Sequence, residues 1–109
     1  LQAVKNHKYI NPLINPGNSD LSCKVDFKFI SKIAKELGSK VNGPISQKLF
    51  FEKLGIDIRS KQLVDCNPKR KEEIINSKNR LISKKGMGNL FKVMVISNKY
   101  YKLPDIFKA

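Results

Sequence analysis

The segment "LFKVMVIS", residues 90–97, is apolar at nearly every position and rich in β-branched residues, so a strand formed there needs cover on both faces. The rest of the chain offers only "SKVN" (39–42) and a short extended piece near Leu1–Val4 as further strands. Two or three strands are too few to satisfy the edges of so apolar a segment. The expectation is therefore a piece of a larger sheet.

Size agrees with a single unit. A chain of 109 residues, 40% apolar and 28% charged, can build one modest core and no second independent domain. Its 22 basic residues against 9 acidic ones give a formal charge of +13, which would favour phosphate-rich partners or an anionic membrane surface. The charge is nearly all lysine, however, and is spread along the chain. Specific phosphate recognition uses arginine forks or basic clusters interleaved with aromatic platforms. Nucleic acid is thus an unfavoured partner, and general compositional drift accounts for the charge.

Several classes of chemistry lack their residues. Cys23 and Cys66 have no CxxC spacing and no neighbouring histidine, so no metal is expected and a reducing compartment fits. There is no glycine-rich phosphate loop, no GxSxG and no HExxH, hence no complete catalytic site and no assignable catalytic residue. No apolar run reaches the roughly 18 residues of a membrane span. The opening "LQAVKNHKYINPL" lacks both a signal-peptide core and an initial Met, as expected of a piece of something longer or of a start that was trimmed or mis-called.

The chain divides into five stretches. Residues 1–25, punctuated by Pro12, Pro16 and Gly17, read as a loop region. In residues 26–43, Phe27, Ile30, Ile33, Ala34 and Leu37 share one helical face; Asp26 is placed to cap this helix and Gly38 to end it, and "SKVN" follows as a strand. Residues 44–85 read as helical. Pro44 falls in the first turn of one helix with Leu49, Phe50 and Leu54 on its stripe, a second helix covers Ile58–Val64, and Asn67-Pro68 starts a third carrying Ile74, Ile75, Leu81 and Ile82. Residues 86–97 hold the final strand and 98–109 a tail.

Few side chains suggest chemistry. His7, the one histidine, stands among Asn and Lys residues and reads as a solvated surface group. Asp20 and Asp26 bracket "DLSCKVD" and could together hold a guanidinium through charge-assisted hydrogen bonds. Locally, the alternative is a turn residue and a helix cap. Gln47 is positioned either to serve exposed backbone groups of its helix or to meet a ligand.

Taken in order, "NPLINPGNSDLSCKVDF", "GPISQKLFFEKLGID" and "MGNLFKVMVIS" resemble the C-terminal part of the MidA family. These are S-adenosylmethionine-dependent methyltransferases of class I, related to mitochondrial assembly factors of respiratory complex I. The likeness covers all but the tail. It departs at Lys24, where many members carry His, and at Ser22, where they carry Thr.

This resemblance implies an α/β, Rossmann-like methyltransferase fold, of which the chain holds the last strands and a helical insertion at 44–85. "SKVN" would be the sixth strand and "LFKVMVIS" the seventh, antiparallel one. Asp20, Asp26, Gly43 and Gln47 become candidates for substrate contact, since ligands sit beyond the carboxyl ends of the parallel strands. The activity implied is methyl transfer from S-adenosylmethionine to an arginine of a protein such as a respiratory-chain subunit. The family's cofactor loop and ribose-binding acid would lie upstream of Leu1. On that reading the chain lacks the cofactor-binding half, binds no cofactor alone, and is either one half of a split enzyme working with a separate N-terminal half or the remnant of a decayed gene. The implied compartment is the bacterial cytoplasm, or the mitochondrion in a eukaryote. A basic binding module and a non-catalytic assembly factor are the alternatives.

Overall fold

The computed structural model describes residues 1–107. The last two residues of the expected tail lie outside the described residues.

The first 25 residues, expected as loop apart from a short extended piece near Leu1–Val4, carry three short strands: β1 (Gln2–Lys5), which falls on that piece, β2 (Lys8–Ile10) and β3 (Asp20–Ser22), in the antiparallel order β2-β1-β3. A two-residue turn, Asn6-His7, joins the first two strands with φ of 51° and 60°. Positive φ at both central positions matches the right-handed twist of the strands it links, and Asn tolerates it well. Ala3, in the middle of β1, is the buried apolar residue of this sheet.

Helix α1 (Phe27–Glu36) is as the periodicity expects. The Asp26 carboxylate accepts from Phe29 N–H at 2.9 Å. At the other end Gly38 takes φ +83°, while Ser39 N–H donates to Ala34 O and Gly38 N–H to Lys35 O. That pair of bonds is the Schellman termination, which a glycine makes without a Cβ penalty.

Strand β4 (Lys40–Ser46) runs past the expected boundary and takes Gly43-Pro44 with it. It pairs antiparallel with β5 (Lys92–Ser97), and the register shifts between Asn42 and Ile45. The expectation that Pro44 opens a helix is corrected: Gly43 and Pro44 form an irregularity in the ladder, where a residue lacking N–H is tolerated. The helix begins three residues later, as α2 (Gln47–Lys53), with Ser46 Oγ accepting from Leu49 N–H at 3.2 Å.

Two longer helices follow. Helix α3 (Ile56–Cys66) turns back through a 3-10 turn at Pro68–Arg70 into α4 (Lys71–Ile82). Lys78 near the end of α4 pairs with Asp57 near the start of α3, so the two form an antiparallel hairpin. A single-turn helix, α5 (Met87–Leu90), then shortens the expected strand. Its Gly88 is buried against the Ile82 and Ser83 backbone, where any Cβ would collide with the Ile82 carbonyl. In the tail, Phe107 stacks on Phe50 of α2 with ring centroids 6.0 Å apart.

The surface is large for the mass. The accessible area is 8958 Å², whereas a compact monomer of 12.4 kDa has about 6,100 Å². The radius of gyration is 18.4 Å, against about 13 Å for a compact chain of this length. Phe29, Leu37, Leu90 and Ile96 are exposed, and β5 has no second neighbour among the described residues. Both facts agree with the demand for cover that "LFKVMVIS" makes.

Candidate functional site

Two of the four sequence-predicted site residues flank one concave surface. A depression of about 400 Å³ lies between α1 and β4, lined by Phe27, Lys28, Ser31, Lys32, Lys35 and Pro44. Phe27 directly follows Asp26, and Pro44 directly follows Gly43. The local reason is the capping and the bulge just described: the cap fixes where α1 starts, and the irregularity turns Pro44 toward it.

Gly43 itself has φ +93°, and a Cβ there would lie 2.7 Å from Val93 O and 3.3 Å from Met94 Cα. The close approach of β4 to β5 thus demands glycine at this point. The carboxylate of Asp26 is committed through one oxygen to the cap, and the residue is exposed.

The other two residues are elsewhere. Asp20 sits on β3, opposite Val4, and is exposed. Gln47 is half-buried in the first turn of α2, and its amide Nε2 donates to Leu81 O at 2.9 Å. Leu81 is in the last turn of α4, whose carbonyls have no partner within the helix. Gln47 therefore ties the start of α2 to the end of α4. No local pattern announces a contact across 34 residues.

Three lysines dominate the electrostatics of the depression. Lys32 comes within 4.0 Å of Glu36 and both are well exposed, so this pair adds little. Ammonium groups on one helical face attract an anionic group and disfavour an approaching guanidinium. Lys28, Lys32 and Lys35 lie off the apolar face of α1, and no local sequence signal announces that Pro44 closes a concavity beside them.

A bidentate ion pair lies away from this rim. Arg70 donates from Nε to Glu73 Oε2 at 2.8 Å and from Nη2 to Oε1 at 2.6 Å. These hydrogen bonds and the charge of Glu73 push the Arg70 guanidinium above its usual range, and the same contacts hold the Glu73 carboxyl below its own. Among the described residues there is no cluster of His, Cys, Asp and Glu able to hold a metal, and no helix long and apolar enough to cross a membrane.

The described residues form an α/β fold with two small antiparallel sheets and a helical hairpin, and comparison with known proteins says what it resembles. Residues 1–45 match the family described as "Putative S-adenosyl-L-methionine-dependent methyltransferase". The chain is 38% identical over 88 residues to the mitochondrial protein arginine methyltransferase NDUFAF7 of Xenopus tropicalis, covering 79% of this chain and 20% of that protein. The Caenorhabditis elegans homologue is 36% identical over 88 residues, with the same coverage. The chain spans about a fifth of the length of these relatives.

A crystal structure from Burkholderia thailandensis, bound to S-adenosyl-homocysteine, superposes with a TM-score of 0.83 at 26% identity. It covers 98% of this chain and 28% of that one. The chain is thus related to the MidA and NDUFAF7-type methyltransferase-like proteins, and its architecture resembles the class I, Rossmann-like methyltransferase fold. The associations with methyl transfer, S-adenosylmethionine and complex I assembly rest on the same relatives. Their mitochondrial names and the bacterial source of the solved structure accord with the two compartments expected.

One expectation is corrected. The chain was expected to lack the cofactor-binding half of the fold and to have no cofactor when alone. The structure it matches over nearly its whole length was captured with S-adenosyl-homocysteine, the product left by methyl donation. That finding overturns the expected absence of a cofactor.

Proposed function

We propose that this chain is the C-terminal portion of an S-adenosylmethionine-dependent protein-arginine methyltransferase, contributing sheet edge and substrate cleft and engaging the cofactor as part of that sheet. The observation that carries the reading is the match to the S-adenosyl-homocysteine-bound structure over 98% of the chain. In this reading Asp26 and Gly43 shape the rim, the α1 lysines receive an anionic group there, and Gln47 holds the insertion in place. Asp20 keeps its candidacy as a substrate contact from the other sheet.

The exposed surface supports a permanent neighbour. The excess over a compact monomer is about 2,800 Å², the size of obligate interfaces. The neighbour of matching chemistry is the rest of a methyltransferase sheet, in the same polypeptide or as a separate N-terminal half. The relatives' names fit an arginine-bearing protein as substrate, and the MidA resemblance implies a respiratory-chain subunit.

The test is co-expression of this chain with a family N-terminal half, followed by purification through a tag on one. Methyl transfer from labelled S-adenosylmethionine to a protein arginine is then read in the purified complex. Copurification with transfer supports the proposal. A stable complex that methylates nothing but lysine or nucleic acid overturns the arginine assignment, and no complex overturns the sheet-edge role.

A further inference from the structure

The hairpin of α3 and α4 leaves a cleft of about 430 Å³ along its length. Its apolar floor comes from Ile56 and Leu63 on α3 and from Ile74 and Leu81 on α4. Each pair is seven residues apart, two helical turns, so each helix presents a ridge along one line. Helix α2 already packs against both α3 and α4, and the facing ridges leave an apolar trough beside that contact, lined by no residue of α2 and wide enough for a further helix. Helix α3 has 11 residues and α4 has 12, which sets the groove at about 16 Å, or three turns of that further helix.

The rim selects the occupant by charge. Lys78 is neutralised by Asp57, and Arg70 by Glu73. Arg59 lines the same cleft, is exposed and has no partner among the described residues. One uncompensated guanidinium beside an apolar trough favours a carboxylate on whatever fills the trough. The wider insertion pulls the same way, since residues 44–85 carry eleven Lys and Arg against five Asp and Glu.

We infer that the α3–α4 cleft docks an amphipathic, acidic helix of a partner polypeptide, with its apolar residues at two-turn spacing and a carboxylate on Arg59. Such a site would bring a protein substrate to the enzyme through the insertion, at a place separate from the α1–β4 rim. The inference does not depend on methyl transfer, because none of its readouts measures it.

The chain carries its own reporter. Cys66 lines the cleft and is exposed, and Cys23, also exposed, lies outside it. The probes are two fluorescent helical peptides of about 15 residues, one with leucines at the apolar positions and glutamates beside them, the other with lysines in place of the glutamates. They are titrated into the full chain by anisotropy, and the alkylation rates of Cys66 and Cys23 are followed by mass spectrometry. The glutamate peptide is expected to bind and to slow Cys66 by about tenfold or more with Cys23 unchanged. Arg59→Glu, at an exposed position, is expected to shift the preference toward the lysine peptide by about fivefold. Leu63→Asp is expected to remove binding.

Equal binding of the two peptides, or an unprotected Cys66, overturns the inference. So does a Cys66 already unreactive in complex with the rest of the methyltransferase sheet, because the enzyme itself would then fill the cleft. Self-association of the chain that protects Cys66 and is unaffected by either peptide would make a second copy the occupant and overturn it as well.

Discussion

Replacing Gly43 by alanine separates two costs that the structure makes additive. At φ +93° an L-residue pays for a left-handed backbone, about 1 kcal/mol or somewhat more. The new Cβ also meets Val93 O at 2.7 Å and Ile45 N at 3.2 Å, both backbone atoms of the β4–β5 ladder that cannot rotate away. Overpacking of that kind adds about 1–3 kcal/mol, for a total of about 2–4 kcal/mol. Gly38→Ala is the internal control, since Gly38 has φ +83° with nothing within 4 Å of its Cβ position and carries only the first cost.

The assay is amide hydrogen exchange. It reads the opening of the β4–β5 ladder directly and does not require the whole chain to unfold in one step. Gly43→Ala should speed exchange across Val93 and Val95 by about 30-fold to 1,000-fold, and Gly38→Ala should speed the end of α1 by about fivefold with no effect on the ladder. Exchange of the ladder within threefold of the original in Gly43→Ala would refute the close-approach argument.

Other substitutions test the remaining assignments. Asp26→Ala should destabilise α1 by about 1 kcal/mol by circular dichroism, whereas Asp26→Asn, an equally good cap, should not. A loss of methyl transfer in Asp26→Asn with α1 intact would then be a charge effect on substrate, and unchanged transfer would leave Asp26 a cap alone. Gln47→Ala strands the Leu81 carbonyl and should cost about 1–2 kcal/mol, read as faster exchange at the end of α4. The Glu73 carboxyl is held below its ordinary value by Arg70, so its contribution to the first turn of α4 is full above the ordinary carboxylate range and is lost as pH falls through the lower folded value. An NMR pH titration should show that turn loosening only below that range, and Glu73→Gln should abolish the transition.

Legibility in the sequence followed the range of the interactions involved. The α1 helix was readable because its periodicity, Asp26 cap and Gly38 stop all act within a few residues. Its role beside Pro44 was not, because that depends on β4 bending toward it. Gly43-Pro44 misled for a physical reason: proline fits a helix's first turn and a ladder irregularity equally well, and only the pairing with β5 selects the second. Strand β1 falls on the extended piece expected near Leu1–Val4, whereas β2 and β3 were hidden by their length of three residues and by a turn, Asn6-His7, without glycine. Gln47 was identified as an unusual amide, but its partner on α4 has no sequence signal. The apolar run at 90–97, by contrast, announces the need for cover through its residue types alone.

The central claim is that this region takes part in a cofactor-engaging methyltransferase sheet, and ultraviolet crosslinking of radiolabelled S-adenosylmethionine tests it most directly. The chain is irradiated with the label, alone and together with a family N-terminal half, digested, and mapped. The account predicts label in the peptides spanning residues 26–47, displaced by excess S-adenosyl-homocysteine. Label confined to other polypeptide, with none on this chain under either condition, would contradict it.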